Sequence, residues 1–386
     1  MPSSSMPPIY LDNAASTRVT DEVLAVITEV MRTAWGNPSA QHPQGAAARA
    51  HIDTARTRLL GALGDRGTGE IIWTSGCTEA DALAVLGAAR GRPGAIVLSS
   101  IEHAAVTCAA RSLEGQHTVI EVAPDASGVL DPEAVAAAAE GAAVVAIVMV
   151  QNEIGVVQPV AAIASAVRRR APACHIHVDA AQAFGKVTLD VSALGVDSVA
   201  IAGHKLHGPK GCGALWLRRG AVLAPLWVGG GQQQGLRGGT QDAPGAAGLG
   251  LAAERAVAAL AGARARWLEL AHAITTRLGE RGVPFRQLVP DQRRSPHILA
   301  LGFAGVPASA LRTVLASRGV YVSTGSSCSE RSSDPAGKPS AVLAVIDLPE
   351  DVGMCRLSFG LDTTAAEVAA ATEILADVVT ELRSRA

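Results

Sequence analysis

The stretch IAGHKLHGPKGCG, residues 201–213, decides how the rest of the chain is read. An apolar run, Ser198-Val199-Ala200-Ile201-Ala202, enters it, and a second, Gly213-Ala214-Leu215-Trp216-Leu217, leaves it. Between them lie Gly203-His204-Lys205 and a turn built on Gly208, Pro209 and Gly211. The pattern reads as strand, tight turn, strand, with Lys205 at the bend. An ammonium held between two buried strands needs a partner, a depressed pKa or a covalent adduct. Such an adduct is a Schiff base with an aldehyde cofactor. A solvated turn lysine fits this stretch equally well, because short lysine-glycine turns are common. The surroundings decide between the two.

Toward the N-terminus, apolar runs alternate with helical patterns, and each run from Ile71 onward ends in small or polar residues. Ile71-Ile72-Trp73 leads into Thr74-Ser75-Gly76-Cys77-Thr78-Glu79 and then a helix. Residues 95–99 form a strand ending before Glu102-His103, and residues 118–122 another. The continuous apolar run 144–150 reads as a strand buried on both faces, closing on Gln151-Asn152-Glu153. Residues 175–178 close on Asp179-Ala180-Ala181-Gln182. Ligands of open α/β sheets sit at the carboxyl ends of strands. Ser75/Thr78, His103, Asn152, Asp179/Gln182 and His204/Lys205 therefore converge on one edge. Taken singly, His103 and Asp179 read as caps or core residues; five clusters at one topological position read better as a site. The strand-turn-helix at 71–80 also suits an anion held on backbone N–H groups, although an ordinary helix cap has the same composition.

The flanks are simpler. Asp12-Asn13-Ala14-Ala15 follows a short apolar entry, Asp21 is expected to cap a first helix, and a second helix covers about 45–63. A glycine-rich loop at 229–241 carries Arg237 and Thr240, more than a plain linker needs. A helical pattern at 246–282 precedes a second αβ segment that starts at His297. The polar segment around Cys328 runs on into residues 331–340, which read as a mobile loop. A strand at 356–360 and a helix at 363–382, capped by Thr363 or Thr364, close the chain.

With 386 residues, the chain suits two domains, or one large and one small. Hydrophobic residues at 48% and charged residues at 18% exclude a disordered polymer. A net charge of -2, with no basic run longer than Arg168-Arg169-Arg170, argues against direct nucleic-acid binding. Six cysteines without a CxxC pair indicate neither a metal site nor a disulfide framework, and reduced thiols point to a cytoplasmic setting. No signal peptide or bilayer-spanning run is read, so no membrane is expected. Cys328 stands apart in a small-residue polar segment, where a thiol is accessible. The other five lie in or beside apolar runs and are expected to be inert core residues. Chance exposure of one thiol is the competing account of Cys328.

The ordered blocks YLDNAA, GNPSAQH, TSGCTEAD, EHAAV, QNEIGVVQP, HVDAAQAFGK, GHKLHGPKG, GGGQQQGLRGGTQ, STGSSCS and RLSFG together resemble the cysteine desulfurases of the NifS/IscS type. These are pyridoxal-phosphate (PLP) enzymes of fold type I in the class V aminotransferase superfamily. The resemblance implies an α/β fold with a large, mostly parallel-sheet domain over 16–255. Residues 1–15 and 256–386 would form a smaller α+β domain carrying the Cys328 loop. It implies that Lys205 holds PLP covalently, that Asp179 pairs with the ring nitrogen, and that Gln182 bonds the ring oxygen. His103 would stack on the ring and move protons, and Asn152 would hold cofactor or substrate. Cys77, by its backbone, Thr78 and His204 would bind the phosphate, with Thr240 reaching the partner of a homodimer. Asn13, Asn37 and Arg356 would hold the substrate, the Arg356 fork matching a carboxylate. In the implied chemistry the Lys205 amine takes the Cα proton of L-cysteine, the Cys328 thiolate attacks the substrate sulfur, alanine leaves, and a persulfide on Cys328 awaits an acceptor protein.

Three positions depart from the family pattern: Ala202 replaces a usual serine, Cys77 an alanine and Gly239 a serine. Loss of one hydroxyl weakens cofactor binding by the net value of one hydrogen bond, ~1 kcal/mol. Residues 329–338 also differ from the common form, so the acceptor is open between iron–sulfur assembly, tRNA thiolation and DNA phosphorothioation. A selenocysteine lyase or another PLP enzyme of this fold is the nearest alternative. A non-catalytic PLP-binding scaffold partner is the alternative of another class.

Overall fold

In the computed structural model, residues 7–324 and 340–385 are described. The chain runs β1 (Ile9–Tyr10), α1 (Asp21–Thr33), α2 (Pro43–Ala62), β2 (Gly69–Thr74), α3 (Cys77–Arg90), β3 (Ile96–Ser99), α4 (Ala104–Arg111), β4 (Val119–Val122), α5 (Pro132–Ala138), β5 (Val144–Val148), α6 (Val160–Arg170), β6 (His175–Asp179) and α7 (Val191–Leu194). It continues with β7 (Ser198–Ala202), β8 (Gly213–Arg218), α8 (Ala243–Glu280), β9 (Arg286–Gln287), β10 (Ile298–Ala304), α9 (Ala308–Ser317), β11 (Val320–Tyr321), α10 (Ala341–Val345), β12 (Val352–Ser358) and α11 (Ala365–Ser384).

Seven strands form the central sheet in the order β2-β8-β7-β6-β5-β3-β4. β3, β4, β5, β6 and β7 pair in parallel, while β8 is antiparallel to both β7 and β2. Reversal at β8 restores the common direction at β2. The strand ends after β2, β3, β5, β6 and β7 therefore share one edge. Every residue of β5, β6 and β7 is buried, as helices on both faces require. Trp216 of β8 is fully buried, and a Cβ at Gly69 would lie 2.2 Å from its indole, so only glycine fits there.

A second, antiparallel sheet joins β12, β10 and β9, and β1 pairs in parallel with β11. One hydrophobic core lies under the large sheet and another gathers around the second one. α8 serves both: Leu249 and Ala252 pack in the first core, Trp267, Leu270 and Ile274 in the second. Its length and apolar composition match a membrane span, but successive turns contribute buried residues to the protein core along both stretches.

Helix starts follow local chemistry. Thr20, rather than Asp21, caps α1, its Oγ1 accepting from Val23 N–H at 3.4 Å. Asp21 is the first helical residue, where a carboxylate still favours the helix dipole. α11 starts at a capping box in which Thr364 and Glu367 satisfy each other's backbone N–H groups.

Candidate active site

Lys205 ends a 3₁₀ turn, Gly203–Lys205, directly after β7. Its Nζ donates to the carbonyls of Ala14 (2.6 Å) and Ala15 (2.8 Å), on the turn after β1. The Ala14 carbonyl also accepts from Gln182 Nε2 at 2.7 Å. Gln182 and Asp179 follow from the end of β6, and both are buried. Asp179 Oδ1 accepts from Ala181 N–H at 2.8 Å and from the Cys77 thiol at 3.6 Å. Burial first, then Asp179 and Asp81, push the Cys77 thiol well above its ordinary pKa, so it stays protonated and donates.

Cys77 opens α3. That helix starts at Gly76 with no side-chain acceptor on its first-turn N–H groups, the arrangement that binds an anion. Gly213 lies so close that a Cβ there would sit 2.6 Å from the Gly76 backbone. Glu79 turns back to accept from Ser75 N–H at 2.7 Å and is held by Arg237 Nε at 2.9 Å. Gln233 clamps Trp73 by accepting from its N–H (2.6 Å) and donating to its carbonyl (3.0 Å). The glycine-rich loop is thus docked on β2 rather than a free linker. Thr240 beyond it is exposed, as is Thr78.

His103 caps α4, with Nδ1 accepting from Ala105 N–H at 3.1 Å, so the neutral ring carries its proton on Nε2. His204 Nδ1 lies 3.3 Å from Ser16 Oγ. Burial, followed by Lys205, Lys210 and Lys186, lowers the His204 pKa to about 4, leaving it neutral near pH 7. Arg356 of β12 is buried and spans two segments: Nη2 meets Asp12 Oδ1 at 2.6 Å and Nη1 meets the Asn152 carbonyl at 2.7 Å. Its Nε is buried with no hydrogen-bond partner among the described residues. Asn13 is anchored by its amide, which donates to the Ser358 carbonyl at 3.0 Å.

The structure therefore gathers Lys205, Asp179, Gln182, Cys77, Asn152, His204 and Arg356 around one sheet edge. Asn37 sits in an exposed turn, its Oδ1 accepting from Ser39 N–H at 2.9 Å, and no described contact ties it or Thr240 to that group. Cys328 lies outside the described residues. Of the other cysteines, Cys174, Cys212 and Cys355 are buried as anticipated, but Cys108 is exposed on α4. The apolar neighbours of Cys108 face inward and its own position does not, a matter of helical phase.

Several buried polar groups escaped the sequence reading. Asp81 on α3 is fully buried and meets His177 Nε2 at 3.0 Å. Its pKa is pushed well up, by burial and then by Asp179 and Glu102, while burial lowers His177 to about 3. The contact is a hydrogen bond between neutral groups. Lys186 is buried with Nζ 3.4 Å from the Ala181 carbonyl, and burial, then Lys205, lowers its pKa to about 7. The HVD and GK runs contain His177 and Lys186, yet nothing in their spacing distinguishes them from core and surface residues. Among the described residues, Cys77, Asp81 and Asp179 bring possible metal-ligand atoms within 4.8 Å of one another. Two protonated members make that group a poor cation site.

An amine, an uncapped helix start, a buried carboxylate and a buried amide make a donor set that fits PLP: aldehyde, phosphate, ring nitrogen and ring oxygen. The unpartnered Arg356 Nε adds a donor for a further anion. Comparisons agree. The class-V aminotransferase profile matches residues 9–370. A curated cysteine desulfurase of Cereibacter sphaeroides is 37% identical over 385 residues, covering 97% of each chain. The solved structure of a NifS-like protein superposes with a TM-score of 0.88 at 30% identity, over 97% of this chain and 100% of the other. SspA in complex with cysteine gives 0.77 at 30% identity, over 91% and 98%. The chain belongs to the class-V aminotransferase family and, within it, to the PLP-dependent cysteine desulfurases.

Proposed function

We propose that the chain converts L-cysteine to L-alanine and keeps the sulfur as a persulfide on Cys328, for delivery to an acceptor protein. The observation that carries this reading is the convergence of Lys205, Asp179 and Gln182 beside the uncapped start of α3. Bound PLP supplies an electron sink for the Cα carbanion. Asp179, fixed by Ala181 N–H, would pair with the ring nitrogen, and Gln182 would bond the ring oxygen. Cys77 N–H, Thr78 and His204 would hold the phosphate. Neutral His204 donates a hydrogen bond without adding a second cation beside Lys205. His103, whose Nδ1 is taken by Ala105 N–H, would cover the ring and move protons through Nε2. Arg356 takes the substrate carboxylate on its unpartnered Nε side, while Asp12 and the Asn152 carbonyl fix the guanidinium plane. Asn13 and Asn37 stay assigned to the substrate side, and Asn152 to cofactor or substrate.

The Lys205 amine removes the Cα proton. The Cys328 thiolate then attacks the substrate sulfur: a new S–S bond forms, the Cβ–S bond breaks, and its electrons return as alanine is protonated. No external oxidant is required, since the substrate sulfur is itself the electrophile. Exposure of Thr240 supports a homodimer in which it reaches the partner's phosphate. Division near residue 255 into a PLP-binding unit and a smaller unit carrying Cys328 is supported by the change of core along α8 after Ala256. The reading extends to a cytoplasmic protein serving iron–sulfur assembly, tRNA thiolation or DNA phosphorothioation. Alanine and sulfide release from cysteine, with a reductant present, tests it. Wild type is expected to be active, and Cys328→Ala to lose activity by a factor of about 10² or more while keeping the colour of bound PLP. Undiminished activity in Cys328→Ala sinks the persulfide role.

A further inference from the structure

Gln182 is expected to donate its amide N–H to the cofactor, but an amide side chain has two faces. Turned over, it presents Oε1 where a donor is needed. What fixes the orientation lies in the other core. His297, immediately before β10, is fully buried, and its Nε2 lies 3.1 Å from Gln182 Oε1. Gln182 Nε2 donates to the Ala14 carbonyl, which can only accept, so Oε1 must face the imidazole and Nε2 of His297 must carry a proton. Its Nδ1 then accepts from Ser295 Oγ at 2.7 Å. Ser295 is anchored by its N–H on the Gly155 carbonyl at 2.7 Å. Trp267 packs against the ring at 5.9 Å between centroids and is itself tied to the Gly360 carbonyl at 2.9 Å. Burial, then Lys186, Arg356, Arg294 and Lys205, hold the His297 pKa well below its ordinary value. Burial, reinforced by these neighbours, disfavours a charged imidazole, and the hydrogen bonds on its two nitrogens select one tautomer.

We infer that His297 is a positioning residue: its Nε2–H locks the Gln182 amide so that Gln182 Nε2 stays aimed at the cofactor and the Ala14 carbonyl. The inference rests on the assignment of Lys205, Asp179 and Gln182 to PLP. It gives the C-terminal half a part in cofactor binding, exerted through Gln182 and separate from substrate binding by Arg356.

A double-mutant cycle read by PLP titration and by the absorbance spectrum of the PLP-loaded protein tests it. His297→Leu is expected to raise the PLP dissociation constant roughly threefold to tenfold, the range one net hydrogen bond commands, and to shift the bound-cofactor spectrum. In a Gln182→Leu background the same substitution is expected to change neither. His297→Gln, which keeps a side-chain N–H donor, is expected to bind PLP within about twofold of wild type, and carries the test if His297→Leu does not fold. An equal loss in both backgrounds, or no change in the wild-type background, overturns the inference. So does a full loss in His297→Gln. If the wild-type protein takes up no PLP, the cofactor reading itself fails, which is a distinct result.

Discussion

The two ends of the central sheet treat charge in opposite ways. At the end where β7 begins, Asp197 is buried and saturated. Its Oδ1 accepts from Arg218 Nε at 2.8 Å and from Arg218 Nη2, its Oδ2 from Ile176 N–H at 2.8 Å and from Arg168 Nη2. Burial alone raises its pKa, but His175, the Ile176 bond and Arg168 outweigh burial and hold it low. At the end where Lys205 sits, Asp81 Oδ2, Glu102 Oε2 and Arg356 Nε are buried with no hydrogen-bond partner among the described residues. Asp81 and Glu102 are pushed up and Lys186 is pushed down, each chiefly by burial. A buried chain links the ends: His177 Nδ1 and His175 Nε2 lie 2.9 and 2.8 Å from Ser198 Oγ. Charge serves the fold at the first end; at the second the fold holds polar groups in want of partners, as a ligand site requires.

Removing Asp197 is the largest expected effect. Asp197→Ala should lower unfolding free energy by about 3 kcal/mol, at the low end for a buried ion pair because half of the Arg218 side chain is solvent-exposed. PLP content per folded molecule should not change. Because the folded pKa lies below the ordinary 3.8, this stabilisation is present above that pH and is lost as pH falls through the folded value. A chemical-denaturation series in pH reads both effects, and a loss under about 1 kcal/mol at pH 7 removes the contrast.

Lys186→Met should do the reverse and raise stability by about 2 kcal/mol at pH 7, because it deletes a buried cation without a carboxylate partner among the described contacts. The sign follows from the lowered pKa: the unfolded lysine binds its proton below 10.5, the folded one only below about 7. The gain over wild type therefore shrinks as pH rises from 7 toward 10.5. A gain that does not depend on pH contradicts the lowered pKa. Smallest is Asp81→Asn, where an amide replaces a carboxyl already held neutral. Unfolding free energy should stay within ~1 kcal/mol of wild type, and a loss of several would mean that Asp81 is ionised.

The sheet edge that carries the site was legible in the sequence, for a physical reason, while the charge contrast between the two ends was not. Parallel strands buried on both faces leave continuous apolar runs, so Val144–Val148 and Ser198–Ala202 stand out and the polar residues after them mark the edge. The reversed direction of β8 does not show, since an antiparallel strand in the same core has the same apolar run. The family resemblance singled out Arg356, but Asp12 as its clamp was not legible, because 344 residues separate them. His297 and Asp81 were silent for a different reason. A polar residue inside an apolar pattern gives no sign of whether it is paired, and only the three-dimensional contacts name Gln182 and His177 as partners.

Lys186, which is buried, and Lys205, which is half-buried, interact electrostatically at the same sheet end, and the account makes only Lys205 the covalent anchor of PLP. Borohydride reduction of the PLP-loaded protein, followed by peptide mass mapping, decides between them. The account predicts a single pyridoxyl-lysine at Lys205. A label on Lys186, or on neither residue, would contradict it.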